Sequence, residues 1–76
     1  MVAKPQHEIR LGTIVVRITR KRSKSGASYS MNLVRLYRNG DQWKESTRLT
    51  PSDIPLARLV LDEAHSWVLL RETEST

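Results

Sequence analysis

Cysteine and phenylalanine are absent from this sequence, and acidic residues are scarce in its first two-thirds. Without cysteine there is no disulfide framework, no thiolate metal site and no thiol nucleophile. Two histidines, His7 and His65, are too few for a structural metal centre. No apolar run reaches the roughly 20 residues that a membrane-spanning helix needs. The opening MVAKPQHE has none of the apolar character of a signal peptide. An intracellular protein, cytoplasmic or nucleoid-associated, is the expectation. The catalytic vocabulary is equally thin: no Gly-rich phosphate loop, no Cys/His cluster and no paired carboxylates in an apolar setting. Asp62-Glu63 reads as a solvated helix face and His65 as a boundary residue. No enzymatic activity, cofactor or small-molecule substrate is expected.

Shortness is itself a constraint. A chain of 76 residues forms one domain and buries only about 60–65% of its unfolded surface, which leaves stability marginal. With disulfides and metals excluded, self-association is the remaining common remedy.

What the sequence has is positive charge, unevenly placed. Residues 1–48 carry eleven Lys/Arg against three acids, a surplus of eight, whereas residues 49–76 carry two against five, a deficit of three. The second stretch is the more apolar. Segregation of this kind suits a face that meets a polyanion.

Residues 1–7 read as a flexible arm, residues 8–71 as a single domain and residues 72–76 as a frayed tail. Glu8-Ile9-Arg10-Leu11 alternates as a short strand and stops at Gly12. Residues 13–22, TIVVRITRKR, set Ile14, Val16 and Ile18 against Val15, Arg17 and Thr19, the period-two signature of a half-buried strand. They run into RKRSKSGAS, expected to be a mobile basic loop. Residues 29–38, YSMNLVRLYR, form the next strand, and Asn39-Gly40 marks a hairpin returning through a third long strand, residues 42–50. Two registers are open. A two-residue Asn-Gly turn places Leu36 beside Trp43, and a three-residue turn places Tyr37 beside Trp43. The second sorts apolar from polar more cleanly and is preferred. In it Tyr29, Tyr37 and Trp43 face the core. In the first, Tyr29 and Tyr37 join Arg35, Lys44 and Arg48 on the basic face.

After Asp53 the period changes. Ile54, Ala57, Val60, Leu61, Ala64 and Val68 fall at helical spacing, preceded by Thr50-Pro51-Ser52-Asp53, where Ser52 or Asp53 is the expected cap and Pro55 lies in the first turn. The helix is expected to reach about Arg71. Its apolar surface is wider than one stripe, which implies burial against both the sheet and a second subunit. The fold class is therefore α+β: a curved antiparallel meander of three long strands plus a short N-terminal one, then one C-terminal helix, in a dimer.

Ile9-Arg10-Leu11-Gly12 before the first long strand and Arg48-Leu49-Thr50-Pro51-Ser52-Asp53 at the strand-to-helix junction carry a resemblance. Over roughly residues 9–70 the chain resembles the single-stranded-DNA-binding domain of the transcriptional coactivator positive cofactor four and its small bacterial and phage relatives. The resemblance implies a homodimer built through the helices, with basic sheet and loop residues on the phosphate backbone and bases stacked on exposed aromatics. The matching positions here are Arg17, Arg20, Lys21, Arg22, Lys24, Lys44 and Arg48, and Asn32 adds a hydrogen-bond donor beside them. The expected function is non-enzymatic binding of single-stranded nucleic acid, DNA rather than RNA, in transcription, replication or repair. The alternative is a small dimeric interaction module whose basic face meets an acidic protein. A duplex-reading helix is disfavoured, since the helix offers a groove only Arg58 and Arg71.

Overall fold

Period-two alternation in the first half of the chain and a 3.6-residue period in the second produce two layers. The computed structural model describes residues 6–74. β1 (His7–Leu11), β2 (Ile14–Ser23), β3 (Gly26–Asn39) and β4 (Gln42–Ser46) form one antiparallel sheet in the order β1-β2-β3-β4. A single 3-10 turn, Pro51–Asp53, leads into α1 (Ile54–Glu74). This is the expected α+β meander followed by one helix.

The core forms where the two periods meet. Ile14, Val16 and Ile18, alternate residues of β2, are fully buried against Ala57, Val60, Ala64 and Val68 of α1. Each such aliphatic side chain contributes about 1.5–3 kcal/mol by leaving water. Small alanines at two of the four helix positions let α1 lie close to the β-branched surface of β2. The helix packs on β1 and β2, so Tyr29, Met31 and Leu33 on β3 only border the core. At the far end of α1, the Trp67 ring stacks on His7 at 4.8 Å, meets Tyr29 edge-on at 5.9 Å and carries the Arg71 guanidinium 4.5 Å from its centroid.

The helix start is capped from outside. The backbone N–H and the hydroxyl of Thr50 both donate to Asp53 Oδ2, at 2.8 and 2.9 Å, while the Asp53 N–H donates to the Thr50 carbonyl at 2.9 Å. Thr50 is the N-cap of the 3-10 turn with Asp53 as its reciprocal partner, and Asp53, one of the two expected caps, directly precedes Ile54 at the start of α1. Pro51 opens the turn, where a missing N–H costs nothing.

Several boundaries differ from the sequence expectations. His7 belongs to β1 rather than to an arm; residues 1–5 lie outside the described residues. The basic segment is not a loop. β2 runs to Ser23 and β3 begins at Gly26, with Ser23 paired to Gly26, so Lys24 and Ser25 alone make the turn. Gly26 has φ +120°, a value open only to glycine, and this permits the tight return. The third long strand ends at Ser46 rather than residue 50. α1 continues past Arg71 to Glu74; residues 75–76 lie outside the description.

The second hairpin takes neither expected register. Asn39 pairs with Gln42 and Arg38 with Trp43, so Gly40 and Asp41 form the turn. Gly40 has φ +64°, and glycine at the first central position is the requirement of a two-residue type II′ turn. The preferred partners, Tyr37 beside Trp43, are therefore wrong: Tyr37 pairs with Lys44.

Candidate nucleic-acid interface

Cross-strand partners share a face of a sheet, and alternate residues take opposite faces. The registers thus assign every strand residue to one side. Ile14 lies opposite Arg35, and Arg35 lies opposite Ser46, so Arg35, Tyr37, Lys44 and Ser46 share the side that α1 packs on. Val15, Arg17, Thr19 and Lys21 take the other side, with Val34, Asn32, Ser30 and Ser28 as their partners on β3. Arg10 of β1 joins them through its pairing with Val15, and Arg38 and Trp43 join them at the far end.

The eight cations within the strands divide evenly. Arg10, Arg17, Lys21 and Arg38 occupy the open face, and Arg20, Arg22, Arg35 and Lys44 the helix side. Of the residues singled out in the sequence, only Arg17, Lys21 and Asn32 come together on the open face. Lys44 is separated from Arg17 by the thickness of the sheet, because the Gly40-Asp41 turn sets β4 so that Lys44 faces Tyr37. Arg20 and Arg22 are strand residues on the helix side rather than loop residues. Lys24 lies at the hairpin tip. Arg48 follows the end of β4, and its carbonyl accepts from Arg35 Nε at 3.2 Å. Arg35 also sits 3.5 Å from Asp53 Oδ2, which commits that arginine to holding the helix start.

Three residues that the sequence reading left out belong to the open face. Trp43 is 58% exposed, with the Arg38 guanidinium 5.7 Å from its ring centroid. Arg38 donates through Nε to the Gly40 carbonyl at 3.3 Å, and Arg10 does the same to the Gly12 carbonyl at 3.0 Å. Each arginine is thus braced by the carbonyl of its neighbouring turn. Arg10 is located by its pairing with Val15 and Arg38 by alternation along β3 from Asn32, whereas Trp43 follows from a two-residue turn in the second hairpin.

The centre of this face is electrically quiet. Arg17 Nη2 donates to Glu45 Oε1, and Arg17 Nε lies 3.7 Å from Glu8 Oε1. Since β3 lies between β2 and β4, the Arg17 side chain arches across it on the face that holds Val34. Val34 and its partner Val15 are buried there. The hydrogen bond to Glu45 is the main cause of a raised Arg17 pKa and a lowered Glu45 pKa. Among the described residues, the cations of this face that no carboxylate holds lie at its two ends, Lys21 at one and Arg10 and Arg38 at the other, with Ser28, Ser30 and Asn32 between.

On the outer side of α1, Pro55, Arg58, Leu59, Leu61, Asp62 and His65 line a shallow open depression. Ile54, Leu59, Leu61, Leu69 and Leu70 are exposed, as the wide apolar pattern of the helix implied. Among the described residues no group of His, Cys, Asp or Glu is arranged to hold a metal ion. Comparison of the chain with protein-family models, with curated proteins and with solved structures returns no match.

Proposed function

We propose that this chain binds single-stranded nucleic acid, DNA in the first instance, along the face of the sheet that α1 leaves uncovered. The observation that carries the reading is the position of Trp43: a largely exposed indole beside Arg38, in line with hydroxyl and amide donors and with cations at both ends of the same face. An exposed aromatic gives an unpaired base a stacking platform worth about 1–3 kcal/mol, and flanking cations track the phosphates. From Ser28 to Arg38 the face spans roughly 33 Å at the rise of a strand. Duplex recognition receives less support, because the outer side of α1 has few cations. The resemblance to the coactivator's single-stranded-DNA-binding domain points the same way. The contact set is revised to Arg10, Lys21, Asn32, Arg38 and Trp43, with Arg17 held in reserve by Glu45 and Lys24 at the tip.

Fluorescence anisotropy with labelled single-stranded DNA, single-stranded RNA and duplex of about 20 nucleotides tests this over a salt series. The single strands bind more tightly than the duplex. The log–log salt slope falls near −2 to −3, as about three or four phosphate contacts at roughly −0.7 each require. Equal affinity for duplex and single strand, or binding insensitive to salt, refutes it.

A further inference from the structure

β3 is 14 residues long, yet β4 lies beside only its last part, from Asn39↔Gln42 to Arg35↔Ser46. Among the described residues no strand lies beside residues 27–33 on that edge. The Leu36 N–H donates to the Thr13 carbonyl at 2.8 Å, toward β2, and the pairing with β2 is unbroken from Ile14↔Arg35 to Ser23↔Gly26. Val34, Asn32, Ser30 and Ser28 therefore turn their backbone groups to β2, while Ala27, Tyr29, Met31 and Leu33 turn theirs outward. The outward groups form a row of donors and acceptors with no strand of the described chain to meet.

Edge strands are ordinarily protected by charge, proline or a bulge. β1 carries Glu8 and Arg10, and β4 carries Lys44 and Glu45. Residues 25–34, SGASYSMNLV, carry neither charge nor proline, and they are the longest uncharged run in a chain that is 28% charged. One side of this edge presents Ser28, Ser30 and Asn32. The other presents Tyr29, Met31 and Leu33, which α1 leaves half-buried because it lies over β1 and β2. Ser46 stands opposite Arg35, so an added strand has room opposite residues 27–32 and must end or bend away beyond them.

The Arg17–Glu45 pair indicates the charge such a strand would carry. Arg17 pairs with Asn32 across β2 and β3, and its guanidinium crosses β3 on the open face to Glu45 of β4, which stands opposite Leu36. Lys21 lies on the same face of β2 and pairs with Ser28, four residues along from Asn32. The place related to Lys21 as Glu45 is to Arg17 is opposite Asn32, on the strand outside β3. No acid of the described chain stands there.

We propose that this edge receives an extended segment of another protein, added antiparallel as a further strand. Six residues run from opposite Asn32 to opposite Ala27. The first, third and fifth lie on the open face, and a carboxylate at the first meets the Lys21 ammonium. The second, fourth and sixth are apolar and lie on the helix side, opposite Met31, Tyr29 and Ala27. Their backbone groups pair with β3, and the preceding carbonyl takes the Leu33 N–H, about seven hydrogen bonds in all. Main-chain pairing then supplies affinity, and the alternate side chains supply selectivity. The pairing rests on the backbone of β3 and stands whatever the open face binds.

The probe is the acetylated, amidated hexapeptide Glu-Val-Glu-Val-Thr-Val, followed by amide-resolved NMR. In the free chain the Tyr29 and Met31 amides exchange with deuterated water faster than those of Ser28, Ser30 and Asn32. Added to about 1 mM, the peptide shifts and protects Tyr29, Met31 and Leu33 and leaves Leu59 and Leu69 of α1 in place. N-methylation of its first two valines removes donors aimed at β3 and weakens binding at least about tenfold; N-methylation of the second glutamate and the threonine, whose N–H groups face solvent, changes it less than about twofold. Lysine in place of the first glutamate weakens binding about two- to fivefold. Tyr29 and Met31 amides already protected in the free chain place a second copy on the edge and overturn the proposal. So do two N-methylated forms that bind alike, a lysine peptide that binds as well as the glutamate one, or shifts confined to Lys21 and Arg38, the mark of a charge contact on the open face.

Discussion

Neutralising Glu45 releases Arg17. Two carboxylates hold that guanidinium, Glu45 by a hydrogen bond and Glu8 at 3.7 Å, so in the resting protein it has little to offer a phosphate. Glu45→Gln removes the stronger partner and sets one more cation free in the middle of the open face. A single additional contact at a slope of about −0.7 multiplies affinity about fivefold near 0.1 M salt and steepens the log–log slope by the same 0.7. The structural cost is small. The pair is part-exposed, with 27% and 45% of the two side chains accessible, and exposed pairs contribute about 0.2–1 kcal/mol. That amounts to a fall of a few degrees in Tm for a domain of this size. Anisotropy on single-stranded DNA over a salt series gives both numbers. Asp62→Asn, an identical charge change on the outer side of α1, is the control and leaves affinity within about twofold. If Glu45→Gln matches the unsubstituted chain or behaves like Asp62→Asn, Arg17 is not in the path of the strand.

Trp43→Ala weakens single-strand binding by the worth of one stacked base, about 1–3 kcal/mol or roughly five- to 150-fold, with Tm unchanged; Trp67→Ala, which loses contacts with His7, Tyr29 and Arg71, lowers Tm instead. The Asp53 carboxyl titrates below its usual range, chiefly because the Thr50 N–H donates to it. A carboxyl depressed on folding stabilises above its unfolded pKa of about 3.9, and that stability is lost as pH falls through the folded value. Asp53→Asn therefore lowers Tm at neutral pH, and its deficit shrinks in thermal melts taken below about pH 4. Glu45 shifts in the same direction, so the hold on Arg17 persists throughout the physiological range. Ile14→Val costs about 0.5–1.5 kcal/mol in chemical denaturation, since its side chain is fully buried, whereas Leu59→Ala, at a position 58% exposed, leaves stability unchanged.

Alternation made β2 and β3 legible, because Ile14, Val16 and Ile18 must face something apolar and only one helix is available to supply it. The change to a 3.6-residue period located the helix and the inward role of Ala57, Val60, Ala64 and Val68. What alternation does not carry is the relation between strands. The placement of Trp43 and Lys44 depends on whether two or three residues turn the second hairpin: a two-residue turn, at Asn39-Gly40 or at Gly40-Asp41, gives the faces observed, and the preferred three-residue turn reverses them. Sorting apolar from polar residues favoured three, which set Trp43 in the core, whereas the indole is 58% exposed. That one face assignment moved Lys44 away from Arg17 and brought Trp43 into the open beside Arg38. The hairpin at Lys24-Ser25 was illegible for a related reason: basic and serine-rich residues resemble loop, but once paired across β2 and β3 they satisfy their backbones as well as valine does.

An amide-resolved NMR titration of the chain with a short single-stranded oligonucleotide tests the central claim most directly. Binding along the open face shifts the Trp43 indole and the backbone amides of Arg17, Lys21, Ser30, Asn32 and Arg38, and leaves Leu59, His65 and Leu69 on α1 in place. Shifts confined to α1, or to Arg35, Tyr37 and Lys44 on the helix side, contradict the account.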